Sequence, residues 1–278
     1  MLAWAVLTFT FSLASPIVPL LRVDPQHHPA RRAFLRSTQV ALLGTPVAAL
    51  GYGVFIQRRE LKLREVNIPI PNLPQDLNGL KLVQLTDIHM GPFLDARVVA
   101  HAVGMANETK AHIALVTGDL ISYQGDPLDE CLDLLAALQA DQGILGCMGN
   151  HEIYAEAEEY VAREGARRGL KFLRQQATVL KFGGTKVNIA GVDYQPFSKA
   201  YLPGAENLIQ PDAFNVLLSH NPDVFPMAAQ KGFPLTISGH THGGQVRVEI
   251  LRQDLNVARF FTPYVDGVYQ ESGSSIFV

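Results

Sequence analysis

The sequence has 278 residues, of which 47% are hydrophobic and 18% are charged, and its formal net charge at pH 7 is −3. This length accommodates one large α/β domain with a short appendage. Soluble enzymes carry charge on about a quarter of their residues, so the apolar excess indicates a membrane segment. Proteins that bind nucleic acid through its phosphates have a basic face, and no dense run of Lys and Arg follows residue 64, so no nucleic-acid partner is expected.

The N-terminal segment contains two long runs without a charged residue. Leu2–Leu21 has 20 residues and Ser37–Gln57 has 21, which is the length that a helix needs to cross a bilayer. The second run contains glycine and proline, which membrane helices tolerate better than soluble helices. Buried core helices or a signal peptide are the alternatives. Two such runs in tandem predict a membrane anchor of two transmembrane helices, 2–21 and 37–57, within residues 1–57.

A short basic motif lies between the two uncharged runs. Residues 31–36, Arg-Arg-Ala-Phe-Leu-Arg, resemble a twin-arginine export signal, although an apolar run precedes Arg31-Arg32 here. Four arginines lie between the runs and four basic residues follow the second run, so the positive-inside rule does not decide the orientation. The export-like motif favours a multi-pass protein of the bacterial cell membrane with an extracytoplasmic catalytic domain.

The rest of the chain divides into a connector, residues 58–79, and a domain, residues 80–278. In the connector, Leu63–Ile70 alternates partly and is followed by prolines, which predicts an edge strand and then a loop. From residue 80, strands and helices alternate, which is typical of parallel βαβ units. The predicted strands are 80–85, 113–117 and 144–148, and the predicted helices are 95–108, 128–138 and 155–168.

After residue 170 the pattern becomes rich in strands. Gly183-Gly184 separates two apolar runs, 178–182 and 186–190, and predicts a β-hairpin. Further strands are predicted at 214–219, 235–238 and 245–250. The chain stops within the apolar run Ser275–Val278, so we expect the domain to be truncated at its C-terminal end. The two cysteines, Cys131 and Cys147, lie in apolar runs and are predicted to be buried thiols.

Polar side chains of the metal-ligand type follow several predicted strands directly. They occur in Thr86-Asp87-Ile88-His89, Gly118-Asp119, Gly149-Asn150-His151-Glu152 and Gly239-His240-Thr241-His242, and His220 follows the strand that ends at residue 219. In an open α/β sheet, ligands bind at the carboxyl ends of the strands. Each motif alone has an ordinary structural explanation, such as a turn or a core histidine. Their occurrence in order at five strand ends indicates a functional site.

The types and spacing of these residues indicate a metal centre. Asp87 and His89 are two residues apart, as are His240 and His242, so each pair points the same way from an extended segment. Carboxylate, imidazole and amide ligands without a thiolate suit Zn²⁺, Mn²⁺ or Fe. Seven ligands exceed the needs of one tetrahedral ion and fit two divalent ions about 3.5–4 Å apart, as in phosphatases and nucleases.

The ordered motifs resemble the calcineurin-like metallophosphoesterase family over residues 61–278. Within it, the chain resembles the bacterial membrane-linked branch that includes UDP-2,3-diacylglucosamine hydrolase-like enzymes. The resemblance implies an α/β fold, a four-layer αββα sandwich of two facing mixed sheets, here preceded by the two transmembrane helices. One departure is Asp193-Tyr194-Gln195, which stands where a more acidic turn is expected and could alter what the cleft accepts.

The resemblance also implies roles for individual residues. One metal ion would be held by Asp87, His89, Asp119 and His242, and the other by Asp119, Asn150, His220 and His240. Asp119, which bridges the ions, and His151, which stabilises or protonates the leaving oxygen, are therefore the predicted catalytic residues. Glu152 would either orient His151 or act as a carboxylate at a helix start.

The implied reaction is hydrolysis of a phosphate ester or pyrophosphate bond by a hydroxide that bridges the two metal ions. The anchor would place the cleft near lipid headgroups, which makes a lipid-linked substrate plausible. One alternative is a non-catalytic dimetal-binding module at the membrane, although the complete ligand set argues against it. Another is a nuclease of the same family, which the mildly acidic net charge disfavours.

Overall fold

The computed structural model describes residues 61–196, 201–243, 247–250 and 253–278, together with a few helical positions between 30 and 45. The chain divides into two compact units, Met1–Lys62 and Leu63–Val278. The predicted membrane helix 2–21 lies outside the described residues, as does 37–57 apart from 37–41, 44 and 45. Within the described part of the chain, no helix is both long and apolar enough to cross a membrane.

The first half of the unit Leu63–Val278 is a parallel sheet with helices in its connections. The strands, in spatial order, are β1 (Leu82–Leu85), β2 (Ile113–Val116), β3 (Ile144–Gly146) and β4 (Leu170–Phe172). The helices are α1 (Ala96–Glu108), α2 (Leu128–Leu135), α3 (Asn150–Tyr154) and α4 (Glu158–Arg167). Asp95 caps α1, because its side chain accepts hydrogen bonds from two backbone nitrogens of the first turn.

The second half is a mixed six-stranded sheet in the order β11-β12-β8-β7-β6-β5. Its strands are β5 (Gln176–Phe182), β6 (Thr185–Gly191), β7 (Phe214–Leu218), β8 (Leu235–Ile237), β11 (Val268–Glu271) and β12 (Ser274–Phe277). Strands β6, β7, β8 and β12 run parallel, whereas β5 and β11 are antiparallel to their neighbours. A separate hairpin consists of β9 (Arg247–Ile250) and β10 (Gln253–Asn256).

The two sheets face each other, and helices cover their outer faces. On β2, Ala114 and Val116 pack in a cluster with α1 and α2, whereas Ile113 and Leu115 pack with residues of β6, β7 and β8. Alternate side chains of a strand point to opposite faces, so one face of this sheet is covered by helices and the other by the second sheet. Helix α5 (Phe225–Lys231) contributes Ala228 to a third cluster, on the outer face of the second sheet. This arrangement is an α/β fold with four layers.

The structure corrects the predicted edge strand at Leu63–Ile70, because no described residue from 61 to 70 belongs to a strand. Pro69 has no N–H group to donate to a ladder. Its carbonyl oxygen instead accepts hydrogen bonds from Gln270 Nε2 at 2.8 Å and Ser275 Oγ at 3.0 Å. The segment is therefore held by side chains of the last two strands rather than by backbone pairing.

Other differences concern element ends. The predicted helix 155–168 begins at Glu158, because Asn150–Tyr154 forms a helix of its own. Strands β4, β10 and β11 were not predicted. The predicted hairpin at Gly183-Gly184 is confirmed, and Cys131 and Cys147 are buried free thiols as expected.

Candidate metal centre

The structure brings the predicted ligands together at the carboxyl ends of β1, β2, β3, β7 and β8. The possible ligand atoms of Asp87, His89, Asp119 and His242 all lie within 4.8 Å of one another. Those of Asp119, His220 and His240 form a second group by the same measure. Asp119 belongs to both groups, so the geometry has the shape of two neighbouring cation sites with one shared carboxylate.

Five of these side chains come from residues with an unusual backbone conformation. The φ angles of Asp87, His89, Asp119, His240 and His242 are 52°, 48°, 56°, 76° and 51°. Residues other than glycine seldom adopt this left-handed region, and a conformation of this kind persists only when the surrounding structure holds it. The loops therefore store strain at the positions where the candidate ligands converge, as is common at functional sites.

Glycines allow the ligand loops to approach each other closely. A Cβ atom on Gly149 would lie 2.1 Å from Asp119 Oδ1, and one on Gly239 would lie 2.0 Å from Thr86 Oγ1. Both distances are far below van der Waals contact. At Gly149 the backbone nitrogen of Asp119 is also only 2.5 Å away, so the backbone would have to move, whereas at Gly239 the side chains of Thr86 and Asp87 would have to move. The glycines that precede Asn150 and His240 are thus needed to bring these residues to the site.

The buried ring of His220 is fixed by a hydrogen bond on its outer nitrogen. Nδ1 lies 2.6 Å from the carbonyl oxygen of Thr117, and because a carbonyl can only accept, Nδ1 carries the proton. Nε2 then faces the site, 3.0 Å from Asp119 Oδ2. Nε2 has no well-aligned hydrogen-bond partner among the described residues. Such a carbonyl–histidine contact is typical of histidines that bind metal through the opposite nitrogen.

His89 and His242 approach each other with their ring nitrogens. Their Nε2 atoms lie 3.1 Å apart, and the rings are stacked with centroids 4.8 Å apart. His89 Nε2 is also 3.5 Å from Asp119 Oδ2, and His242 Nε2 is 3.4 Å from Asp87 Oδ1. Two nitrogens and two carboxylates that converge in this way present four donors to one small volume.

Burial acts to lower the pKa of His220, but its contact with Asp119 raises the pKa to about 9, so a cation that binds Nε2 must displace a proton there. The neighbouring side chains need no such change. Burial acts to raise the pKa of Asp119, but the hydrogen bonds and charges of His220 and His151 together outweigh burial and lower the pKa to about 2. Burial, reinforced by the charge of His220, lowers the pKa of His240 to about 4. Asp119 is therefore ionised and His240 neutral near pH 7, which are the protonation states in which these side chains bind metals.

The side chain of Glu152 connects the loop of Asp119 to the loop that begins at Gly149. Its carboxylate is completely buried. Oε2 accepts hydrogen bonds from the backbone nitrogens of Asp119 and Gly149 at 2.9 and 2.8 Å, and Oε1 accepts one from Leu120 at 2.7 Å. Burial, together with the charge of Asp119, raises the pKa of Glu152, and the three backbone N–H groups oppose that shift.

Of the two alternatives drawn from the sequence for Glu152, the structure shows the carboxylate at a helix start. Its bond to Gly149 is the bond of a helix-start carboxylate, but it also binds the loop that carries Asp119. The ring of His151 is held instead by Ser122, whose carbonyl oxygen lies 2.7 Å from His151 Nδ1. Ser122 Oγ also lies 3.2 Å from His89 Nδ1. No motif marks Ser122 in the sequence, because its backbone oxygen makes the decisive contact.

The residues present fit two divalent cations. Asn150 Oδ1 is buried and has no hydrogen-bond partner among the described residues. An unpaired buried amide oxygen costs about 1–3 kcal/mol, and a bound cation would satisfy it. Asn150 Oδ1 and His220 Nε2 are two of the five buried side-chain atoms that have no hydrogen-bond partner among the described residues. The donor set of carboxylate, imidazole and amide suits the metals of dinuclear hydrolases.

Three tyrosine rings lie beside histidines of the site. The half-buried ring of Tyr194 lies 5.3 Å from the ring of His240 and 6.2 Å from that of His220. The rings of Tyr123 and Tyr154 lie 6.4 and 5.7 Å from the ring of His151. Tyr194 was noted from the sequence as a departure, whereas Tyr123 and Tyr154 were missed because only the fold places them beside His151.

The family model and the similar proteins all indicate the same family. The calcineurin-like phosphoesterase family matches residues 80–244. The sequence is 30% identical over 249 residues to a zebrafish (Danio rerio) protein described as a transmembrane protein with metallophosphoesterase domain, which covers 85% of this chain and 56% of that protein. The chain thus spans little more than half of that relative's length.

Two bacterial relatives are covered over most of their length. The sequence is 26% identical over 257 residues to the uncharacterized metallophosphoesterase YkuE of Bacillus subtilis, over 90% of this chain and 89% of that one. It is 23% identical over 225 residues to the phosphodiesterase YaeI of Escherichia coli, over 80% and 81%. A solved structure, the phosphopantetheinyl hydrolase PptH of Mycobacterium tuberculosis, aligns with a TM-score of 0.46 and 13% identity over 71% of this chain and 87% of that one.

Proposed function

The chain belongs to the calcineurin-like phosphoesterase family and is a hydrolase, and from this premise we propose that it hydrolyses a phosphate ester or pyrophosphate bond with two divalent metal ions. The observation that carries the proposal is the pair of ligand groups that share Asp119. A phosphodiester is the first candidate, because the Escherichia coli relative is called a phosphodiesterase. Membership of the UDP-2,3-diacylglucosamine hydrolase-like branch stays a prediction.

The residues of the two groups divide between the two ions. Asp87, His89, Asp119 and His242 would hold one ion, and Asp119, Asn150, His220 and His240 would hold the other. When bound, the ions supply Lewis acidity, which neutralises phosphate oxygens and lowers the pKa of water towards neutrality. The identity of the metals, Mn, Zn or Fe, follows from availability as much as from these ligands.

His151 is placed to handle the proton of the leaving group. Its Nδ1–H donates to the carbonyl oxygen of Ser122, so Nε2 is the nitrogen left to meet the substrate. In the protonated ring, Nε2–H can donate to the oxygen that departs from phosphorus. The backbone nitrogen of His151 donates to Asp119 Oδ1 at 2.9 Å. This bond fixes the position of the imidazole relative to the shared carboxylate.

The experiment uses the full chain, stripped of metal and then supplied with Mn²⁺ or Zn²⁺. It measures the hydrolysis of a phosphomonoester, a phosphodiester and a lipid-linked pyrophosphate. We expect metal-dependent turnover that Asp119→Ala abolishes and that the exposed control Asp141→Ala retains. A folded chain that binds about two metal ions but hydrolyses none of the three would instead favour the non-catalytic dimetal module.

We further propose that the protein acts at a membrane on a lipid-linked phosphoester, with its catalytic domain outside the cytoplasm. Support comes from the two uncharged runs within residues 1–57 and from the zebrafish relative described as a transmembrane protein. After cell fractionation, the full chain should remain with the membranes through an alkaline carbonate wash. A membrane-impermeant maleimide should label Lys171→Cys, an exposed position on β4, in intact cells. Full release by the carbonate wash would contradict membrane insertion. Labelling only after lysis would contradict the position of the catalytic domain outside the cytoplasm.

A further inference from the structure

Five aromatic side chains in the described part of the unit Leu63–Val278 are largely exposed, and all five lie in segments that adjoin the candidate ligands. Their exposed fractions are 82% for Phe93, 72% for Tyr123, 69% for Tyr154, 87% for Phe260 and 77% for Phe261. Phe93, Tyr123 and Tyr154 each lie four residues after a candidate ligand, namely His89, Asp119 and Asn150. Phe260 and Phe261 precede a segment that a hydrogen bond joins to the loop of His240 and His242. We call these five residues the aromatic rim. Isolated exposed aromatic rings are ordinary, but a set confined to the loops of one site indicates an interaction surface.

Phe93 and Tyr123 are carried by two turns that are fastened together. Met90 forms an isolated parallel β-bridge with Ile121, and residues 91–94 form a tight turn that contains Phe93. Asp126 Oδ2 accepts hydrogen bonds from the backbone nitrogens of Ser122 and Tyr123, each at 2.9 Å. The same carboxylate packs against the first turn, because a Cβ on Gly91 would lie 3.0 Å from Asp126 Oδ1. The turns that carry Phe93 and Tyr123 are therefore held together by these contacts.

Tyr154 completes this side of the rim beside His151. Tyr154 ends the short helix α3, and its ring centroid lies 5.7 Å from that of His151, whose ring also lies 6.4 Å from that of Tyr123. Both tyrosine rings are thus exposed to solvent on one side and border the proposed proton donor on the other. A group that contacts this part of the rim also reaches the leaving-group side of the metal centre.

Phe260 and Phe261 lie in the C-terminal half of the unit, next to a segment that is bonded to the loop of His240 and His242. The next residue, Thr262, donates a hydrogen bond from Oγ1 to Asp223. Thr241, which lies between His240 and His242, donates from Oγ1 to the carbonyl oxygen of Val265. These bonds tie the segment that follows the two phenylalanines to the loop with two candidate ligands. Arg259, exposed beside Phe260, adds a positive charge there.

We propose that the aromatic rim rests in the headgroup region of a lipid bilayer and holds the metal centre at the depth of the lipid phosphates. Aromatic rings prefer the interface between water and hydrocarbon, and a basic neighbour favours anionic headgroups. The sequence favours a bilayer over a protein partner, because two uncharged runs of 20 and 21 residues precede the unit. The second run ends at Gln57, a few residues before Leu63, so a short tether would keep the unit near lipid. The inference rests on the proposed function for the membrane anchor and for the presence of a phosphoester at that surface.

The first experiment measures contact with lipid and does not depend on catalysis. The full chain is reconstituted in vesicles of phosphatidylethanolamine and phosphatidylglycerol, with single cysteines at Phe93, Tyr154 or Phe261 labelled with an environment-sensitive fluorophore. The native thiols Cys131 and Cys147 are completely buried and should not react in the folded protein. Val179→Cys, on strand β5 and 45% exposed, is the matched control. We expect brominated phospholipid to quench the three rim labels more than the Val179 label.

The second experiment compares two substrates in the triple variant Phe93→Ser/Phe260→Ser/Phe261→Ser. Half-burial of one phenylalanine alone shifts a docking equilibrium by about tenfold, so turnover of a phosphodiester lipid in the vesicles should fall by about tenfold or more. Turnover of a water-soluble phosphodiester should stay within about twofold, since none of the three side chains belongs to either ligand group or to the rings in contact with His151.

The outcomes separate the two proposals. Rim labels quenched no more than the control would overturn the bilayer contact, whatever the activity. An equal loss on both substrates would also overturn it and would assign the rim to the catalytic cleft. If rim labels are quenched but neither substrate is hydrolysed by the wild-type chain loaded with metal, the bilayer contact stands and the proposed function fails.

Discussion

The buried carboxylate of Glu152 accepts a hydrogen bond from the backbone nitrogen of Asp119 at 2.9 Å. Asp119 is the one carboxylate shared by both ligand groups. Glu152 contacts its backbone rather than its side-chain oxygens, so it sets the direction of Asp119 without competing for a cation. Outer contacts of this kind have large effects on metal affinity.

Substitution of Glu152 by glutamine should weaken metal binding and lower stability. The glutamine amide offers one acceptor oxygen and places N–H groups against backbone N–H groups, which leaves at least one buried donor unpaired. We expect about 10–100-fold weaker metal binding and a loss of about 1–3 kcal/mol in the free energy of unfolding. Metal titration and denaturant unfolding would measure the two effects. Glu156→Gln, on the exposed turn after α3, should change neither.

Gly149→Ala should abolish the metal centre. The new Cβ would lie 2.1 Å from Asp119 Oδ1, so the loops of Asp119 and Asn150 must separate. We expect loss of bound metal by elemental analysis, while the circular dichroism of the folded chain is retained. Gly104→Ala provides the control, since the added Cβ in helix α1 would meet nothing within 4 Å. That variant should be more stable by about 0.5–1 kcal/mol. Full metal content in Gly149→Ala would show that the close approach is dispensable.

Asn150→Ala tests whether the buried amide oxygen binds metal. Without metal, the variant should be no less stable than the wild type, because the side-chain oxygen has no partner among the described residues to lose. With metal, the wild type should gain about 2.7 kcal/mol at a ligand concentration of 100 Kd, whereas the variant should gain clearly less at the same concentration. Thermal unfolding with and without Mn²⁺ measures both quantities. An equal gain in the two proteins would remove Asn150 from the ligand set.

The sequence is informative about the site because the ligands lie at the ends of buried strands. Apolar runs such as Ile113–Val116 have a recognisable pattern, and the polar residue that follows marks the edge of the sheet. The sequence says less about whether a segment pairs with a neighbouring strand. Leu63–Ile70 has the alternation of an edge strand, yet its carbonyl at Pro69 binds side chains rather than a neighbouring strand. The short strand Leu170–Phe172 has three residues, too few for any periodic pattern.

Contacts made by the backbone and by exposed loops could not be derived from the sequence. The carbonyl of Ser122 holds His151, and any residue at that position has a carbonyl. The aromatic rim likewise depends on which loops meet in three dimensions, because Phe93 and Phe261 are far apart in the chain. The type of each candidate ligand is thus encoded locally, whereas the groups that orient the ligands and surround the site are determined by the tertiary fold.

His151→Gln should lower turnover and leave metal binding intact, because His151 is outside both ligand groups. Loss of a proton donor costs about 10²–10⁴-fold in kcat, and the loss should depend on the leaving group. A nitrophenolate departs without a proton, so its ester should lose less activity than an alkyl ester, whose alkoxide needs one. Measurement of kcat for the two esters in parallel with metal content tests this directly. His101→Gln, on the exposed face of α1, is the control. Equal losses for both esters would mean that His151 stabilises the phosphate rather than the leaving oxygen, and loss of metal would mean that it supports the ligands.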